Sequence, residues 1–548
     1  GETANTAIVD VQVSEVFGNA ARFADLAFDE ALDPDTGETV AVTSDINTLD
    51  TRLVFNDADV LLSGRAFFEY FNTVEVNRGR LRLAQGQRFD TAGSFENRGG
   101  ETWIDTNAAL NVNGALLVNG GLVRVGEVFD ADTTTSVLRV AGADVLQPDG
   151  TPARRDIEVN GGTLRVAERG QLFGIGGELL GRSADGGHVL SAGRSWIVRD
   201  QVSIDEAGNE TVAAGFIDFS QYRAGFGPGD VAEVHRNEAD VRIEGAQARF
   251  LGLEHLHTNA GSLGLAAGNV FTLAGPTVFT NLAGADITLE GAQFIGEGRE
   301  LDNAGAVSVG PDSFLRLDTY RGRAGQAAPG RLDLHGVLAT DNAVIVEGSG
   351  AAGDSVLGIG SGQVIAPGIA LDGVLELGLD DADGALAVGV SGSGRVRKIG
   401  SGVFRLSGSN RQLGGTGILG GTLEASSGAA LGDSNAALDF SGGDLRISGS
   451  EGGAVARQLR FNASAAAIDI VDAGAVFEVS GGSTTVPGTQ LTKQGAGTVR
   501  AHGTLDLGRG SLDVAAGTLD LAGNTLALQG SAGTHGTTGL NGGVGIRG

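Results

Sequence analysis

The chain has 548 residues, of which 93 are Gly and 9 Pro, and its 67 acidic residues exceed its 38 basic ones by 29. Such an excess disfavours nucleic acid and anionic lipid as partners, and favours solubility, cation binding or a salty exterior. Cys is absent, which excludes disulfides and thiol chemistry and is compatible with export. No apolar run approaches the roughly 18 residues of a membrane-spanning helix, so direct membrane insertion of this segment is not expected.

Residues 1–65 show no internal period. They carry Phe17, Phe23, Phe28 and Phe55, and are expected to form an N-terminal cap or an adjoining module, because an open solenoid end exposes unpaired strands. Helical periodicity is nearly absent along the whole chain; its one candidate, residues 20–32, fits a strand equally well. That strand leads into Asp33-Pro-Asp35-Thr-Gly37-Glu38, an acidic turn first and a weak Ca²⁺ site second.

From residue 66 to 180 a period appears. Asn77, Asn97 and Asn119 are spaced 20 and 22, and Asn160 follows 41 later, close to two periods. Most open the same phrase: Asn, any residue, Gly, any residue, then apolar residues alternating with others. Examples are Asn77-Arg-Gly-Arg-Leu81-Arg-Leu83, Asn119-Gly-Gly-Leu-Val123-Arg-Val125 and Asn160-Gly-Gly-Thr-Leu164-Arg-Val166. Asn and Gly tolerate the left-handed backbone of a sharp corner, and the alternation that follows buries one face of a short strand. One such unit cannot bury that face alone. Stacked copies can, and a fixed period of this length marks a solenoid. The predicted fold is therefore all-β: a parallel β-helix of about 20–22 residues per coil and about 25 coils, with equivalent Asn side chains close enough to form an amide ladder.

Residues 181–250 lose the period and contain Trp196, Tyr222 and the turn at residues 225–229. Either a long loop projects here or the coil cross-section changes. Residues 251–390 resume the coils with Asn259, Asn281 and Asn303, spaced 22 and 22. Glu254-His255-Leu-His257 places two imidazoles on one predicted strand face, which could seat a metal, although no third ligand lies at a telling spacing. A pair of surface histidines is the blander expectation. Asp380-Asp381-Ala-Asp383 is a second weak Ca²⁺ candidate, since the distal Glu of a full Ca²⁺ loop is missing; a solvated acidic turn is the first expectation. No other cofactor is expected. Arg82, Arg124, Arg165, Arg405, Arg446 and Arg500 all take the outward slot between two inward apolar residues. They are expected to pair with acids on neighbouring coils, in preference to binding anionic glycans.

Residues 391–548 are richer still in Gly and Ser, and the native chain is expected to continue past Gly548. The two lysines of the whole sequence, Lys398 and Lys493, hold the same slot in two matching segments. One reads Arg397-Lys398-Ile-Gly-Ser-Gly402-Val-Phe-Arg-Leu406, the other Thr492-Lys493-Gln-Gly-Ala-Gly497-Thr-Val-Arg-Ala501; Gly420-Gly-Thr-Leu-Glu-Ala425 follows the first. This pattern, over about residues 391–505, resembles the passenger-associated repeat of bacterial autotransporters. The upstream Asn-x-Gly coils are similar to those of filamentous haemagglutinin-type secreted proteins. The resemblance implies a right-handed β-helix, located extracellularly or on a bacterial cell surface after export. It also implies a scaffold or adhesin role, with other surface proteins, host or matrix glycans, or further copies of itself as partners. The chain departs from a whole autotransporter in showing no membrane β-barrel pattern near Gly548. No catalytic residues are assigned. A polysaccharide lyase or glycosidase on the same fold is the alternative, and a self-assembling filament or sheath subunit a second one.

Overall fold

The structure, a computed structural model, describes residues 54–63 and 71–527 in full, except residues 106, 127–134, 147–149, 168–169, 206, 223–231, 326–328, 351–352 and 451–456; before residue 71 and after residue 527 it otherwise describes only the backbone of strands. It is nearly all β, with 55% strand and 3% helix, and its stacked parallel coils form a β-solenoid of about 20 turns. The coils fall into two compact units, residues 1–276 and 277–548.

In residues 1–276 the Asn-x-Gly phrase builds a corner and the strand after it. Strand Arg80–Ala84 buries Leu81 and Leu83 and turns Arg82 outward. It pairs in parallel with Asp59–Ser63 on one side and Glu101–Ile104 on the other. The register places Leu62, Leu83, Ile104, Val125 and Val166 in one column, all fully buried. Each such side chain contributes about 1.5–3 kcal/mol of burial free energy. The Gly of the phrase is required by close stacking. A Cβ on Gly79 would stand 2.1 Å from the carbonyl oxygen of Ala58 in the preceding coil. Before residue 54, strand Leu26–Phe28 already pairs in parallel with Asp59–Ser63, and the candidate helix region is the strands Ala20–Phe23, Leu26–Phe28 and Ala31–Leu32.

The amide ladder forms with Asn77, Asn97 and Asn259 of the expected members, joined by Asn56 and Asn237. Asn56 donates to Asn77 at 2.7 Å, and Asn77 donates to Asn97 at 3.0 Å, with all three side chains buried. Asn77 also reaches the Glu101 carbonyl and the Thr102 hydroxyl. A second rung joins Asn237 to Asn259 at 2.8 Å. Asn119 and Asn160 are not in the ladder. Asn97 pairs with Val118, so Asn119 lies one position further along its strand, points the other way and donates to Glu96. Asn160 pairs with Asn119 and shares its half-exposed face. Replacing Asn77 with alanine is expected to lower the stability of the first coils by about 2 kcal/mol, since it orphans buried amide groups on both sides. Loss of amide-exchange protection in Glu101–Ile104, with none in distant coils, is the measurement that checks it.

The 41-residue step to Asn160 is one coil, not two. Leu116 pairs directly with Ile157, because a hairpin, Ala143–Leu146 with Pro152–Arg155, is inserted before the coil closes. The next two coils are also lengthened. Ile157 pairs with Trp196, and Ser195 with Asp240. The additions include the antiparallel hairpins Leu180–Arg182 with His188–Leu190 and Gln201–Ile204 with Glu210–Ala213. These insertions consume residues without adding turns, which is one reason the coils are fewer than 25. The irregular stretch thus starts near residue 143, inside the segment expected to be regular, and strands of the stack continue beneath it. The cross-section changes as well. The sheet of strands Arg88–Asp90 to Gly170–Gly174 ends, and a new one begins at His188–Leu190. After the change, coil length returns to 22, with Asp240 opposite Ser262.

Residues 277–548 repeat the design. Asn281 donates to Asn303 at 2.8 Å, and Asn303 to the buried Tyr320 hydroxyl at 3.0 Å; burial pushes the Tyr320 phenol far up. The two lysines are buried clamps. Lys398 Nζ donates to the carbonyls of Ile399, Gly400 and, one coil on, Gly420. Lys493 does the same with Gln494, Gly495 and Ala516. Burial pulls the Lys493 ammonium down from 10.5 to about 8, against the nearby charge of Asp469. The unfolded chain therefore holds this proton more tightly than the folded one. Below about pH 8 the cost of burying the charge is fully present, and it is relieved as pH rises toward the unfolded value of 10.5. We expect the urea midpoint of the wild type, followed by circular dichroism, to gain on that of Lys493→Met between these pH values. A constant difference would refute the clamp's charge.

Candidate metal centre

The new sheet that starts at residue 188 brings together side chains far apart in sequence. Strand Val234–Asn237 lies between His188–Leu190 and Thr258–Asn259, in parallel with both. It carries His235, preceded by Glu233. The turn before Thr258 carries His257, and the hairpin turn before His188 carries Asp185. His255 and His257 are not on one strand face: residues 253–255 form a 3-10 turn, with His257 beyond its end. The missing partners of His257 come from neighbouring coils.

Asp185 sits between two imidazoles. Its Oδ1 lies 2.9 Å from His235 Nδ1, and its Oδ2 lies 3.0 Å from His257 Nδ1. The two rings stack with centroids 3.9 Å apart and planes 17° apart. On the far side of His235, Nε2 is 3.0 Å from Glu233 Oε2, while Glu233 Oε1 is 3.5 Å from His255 Nδ1. Among the described residues, Asp185, His235 and His257 are the group of three or more such side chains whose ligand atoms converge, all within 4.8 Å of one another. His235 is buried, His257 half-buried and Asp185 exposed. Gly187 makes room for the site, since a Cβ there would sit 2.3 Å from the His235 ring. Beneath it the core is aromatic: Tyr222 stacks on His188, and Trp196 meets Phe219 edge-on.

The electrostatics separate the two rings. Burial lowers the affinity of His235 for its second proton, but the Glu233 and Asp185 carboxylates outweigh it and the pKa rises. His257 is lowered, first by burial and then by the charge on its stacked neighbour. Burial opposes ionisation of Asp185, yet Ser183 and His235 hold its carboxyl well below the usual carboxylate range. The trio can therefore share a proton, or hold a cation in its place.

The other candidates are placed differently. Asp381 accepts the backbone N–H of Ser401 and Asp383 that of Val403, both in the next coil, while Asp380 turns to His335 at 3.2 Å. Their oxygens brace a corner and do not converge. Asp33, Asp35 and Glu38 lie outside the described residues. The outward arginines meet acids: Arg82 and Arg124 share Asp105, Arg165 pairs with Asp218, Arg405 with Glu424, Arg446 with Asp469 and Arg500 with Asp520. Sequence reading missed Asp185, His235, Asn56 and Asn237. The two asparagines carried a readable signal, the same phrase with Ala in place of Gly: Asn56-Asp-Ala58-Asp-Val60 and Asn237-Glu-Ala239-Asp-Val241. His235 carried one as well, since His235-Arg-Asn237 repeats one 22-residue period later as His257-Thr-Asn259. Asp185 had none, because it lies on a hairpin turn of a lengthened coil.

Comparison with protein-family models, curated proteins and solved structures finds no match. Among the described residues no helix is long and apolar enough to cross a membrane.

Proposed function

We propose that this chain is a non-catalytic scaffold, exported and displayed on or released from a bacterial surface, with an adhesin-like role. One observation carries the reading. In residues 1–276 the strands of the stack pair in register while hairpins leave it, and those hairpins hold Leu146, Val202 and Ile204 at 73, 55 and 71% exposure. A regular stack supplies stiffness, and loops held by a rigid scaffold are where recognition concentrates. Exposed apolar tips on an otherwise acidic chain fit contact with another surface. The passenger-type corners at Lys398 and Lys493 support descent from autotransporter passengers, and the acidic excess suits an exterior location.

The two surface grooves described in this unit favour binding over hydrolysis. One, of about 260 Å³, is lined by Arg249, Phe250, Asn269 and Phe271, with Glu254 as its carboxylate. The other, of about 180 Å³, lies against the hairpin at 143–155 and has Asp240 as its carboxylate beside Arg154, Arg155, Arg199 and Arg242. Paired-carboxylate hydrolysis needs two. Those four arginines are matched by Asp156, Glu158, Glu244 and Asp240, so the groove offers no surplus of positive charge.

Two measurements on the purified chain test the reading. Acidic polysaccharides should yield no unsaturated or reducing ends; their release would establish the enzyme alternative. A variant with residues 202–212 replaced by a tight turn should keep its strand signal by circular dichroism and lose binding to immobilised matrix glycans and surface proteins. Unchanged binding would remove the hairpins from the proposal, and ordered polymers by electron microscopy would favour the filament reading.

A further inference from the structure

We propose that Asp185, His235 and His257 form a binding site for one divalent transition-metal ion of the zinc type. The donor set is the first reason. Two imidazoles and one carboxylate suit Zn²⁺, Ni²⁺ or Cu²⁺ in preference to the all-oxygen shells of Ca²⁺ and Mg²⁺. The spacing is the second. Tetrahedral zinc with bonds near 2.0 Å places neighbouring donors about 3.3 Å apart, and Asp185 lies 2.9 and 3.0 Å from the two Nδ1 atoms. One ligand atom from each of the three already lies within 4.8 Å of the others, so side-chain rotations would bring them round an ion.

The surroundings of His235 are the third reason. A carboxylate can only accept, so Glu233 at 3.0 Å gives an Nε2 proton of this ring a partner, while Asp185 faces Nδ1 at 2.9 Å. With Nε2 held by Glu233, Nδ1 is the nitrogen a metal would take in place of a proton, and a carboxylate behind a ligating imidazole is the usual way such a ring is oriented. His235 Nδ1 is itself buried, with the Asp185 carboxylate beside it at 2.9 Å as its charge partner. Glu233 acts here as a positioning residue, and His255, on the other oxygen of Glu233, extends the network outward.

The ion would join three successive levels of the stack: the turn before His188, strand Val234–Asn237 and the turn before Thr258. That is where a new sheet begins. Its role in this account is a staple, independent of whether the chain serves as a surface scaffold.

The test uses the full chain, stripped with a chelator and titrated with Zn²⁺ by calorimetry, and with Co²⁺ by visible absorption. One ion per chain with four-coordinate Co²⁺ bands is expected. His257→Ala and Asp185→Asn, both at accessible positions, should each weaken binding at least tenfold. Glu233→Gln, which leaves every donor in place, should weaken it by about 10- to 100-fold. His335→Ala should leave it unchanged. Bound Zn²⁺ should also raise amide-exchange protection at residues 183–188. No uptake by the wild-type chain would overturn the site, as would uptake whose affinity is the same in His257→Ala and Asp185→Asn. Circular dichroism of each variant separates loss of donors from loss of fold.

Discussion

Replacing Asp156 with alanine is expected to destabilise the coils around it by about 3–5 kcal/mol. Asp156 is wholly buried and joins three pieces of chain. Its Oδ1 accepts from Arg194 at 2.7 Å and from Arg154 at 3.2 Å, and its Oδ2 accepts the backbone N–H of Ser195 at 3.0 Å. Arg194 is buried too, and its remaining donors are spread over the carbonyls of Ala141, Gly177 and Glu178. Removing the carboxylate leaves a guanidinium inside the protein with no opposite charge from Asp156, which is far costlier than losing an exposed pair. The double replacement Asp156→Ala with Arg194→Met should recover part of the loss, because both charges then leave together. A stacked array need not unfold in one step. The readout is therefore amide exchange in Ile157–Asn160 and Ser195–Arg199, compared with distant strands. A loss below about 1 kcal/mol would mean that water reaches this pair.

Lys398→Met should cost about 3 kcal/mol in the coils on either side of the residue. The replacement keeps the aliphatic stem and removes the donor that serves Ile399, Gly400 and Gly420. Hydrogen bonds to a charged group contribute about 1.5–3 kcal/mol each. The cost of burying the ammonium offsets part of that sum, and it is the same cost that lowers the Lys398 pKa. Faster exchange in Arg395–Lys398 and Thr416–Ile418 would support the clamp. Unaltered exchange would show that the three carbonyls find other donors.

The corners were readable before any coordinates. Asn77, Asn259 and Asn303 announce a turn and an alternating strand, and the structure puts both where the phrase ends. Lys398 and Lys493 were legible as a shared slot, though not as buried clamps, because nothing in spacing says which carbonyls an amine will meet. Three things were out of reach. The position of Asn119 depends on strand register, which a one-residue slip inverts. The lengthened coils hide their period, since insertions such as the hairpin at 143–155 add residues to a coil without adding a turn. The place of Asp185 depends on those same insertions, so nothing local ties it to the two histidines. His257 could be singled out and His235 stands one period of 22 upstream of it, but Asp185 lies 72 positions upstream, at a distance that no motif encodes.

The corner phrase also changes place. In the early coils it joins the sheet containing Asn77 to the one containing Leu81, whereas at Asn259 it enters that first sheet from another side. Lys398 and Lys493 show the same exchange between two sheets. A bend that works at more than one vertex frees the polymer from whole-number growth. Such a gene can gain or lose a single side of the polygon and still code for a continuous column, so descendants of this chain should differ in length by fractions of a winding.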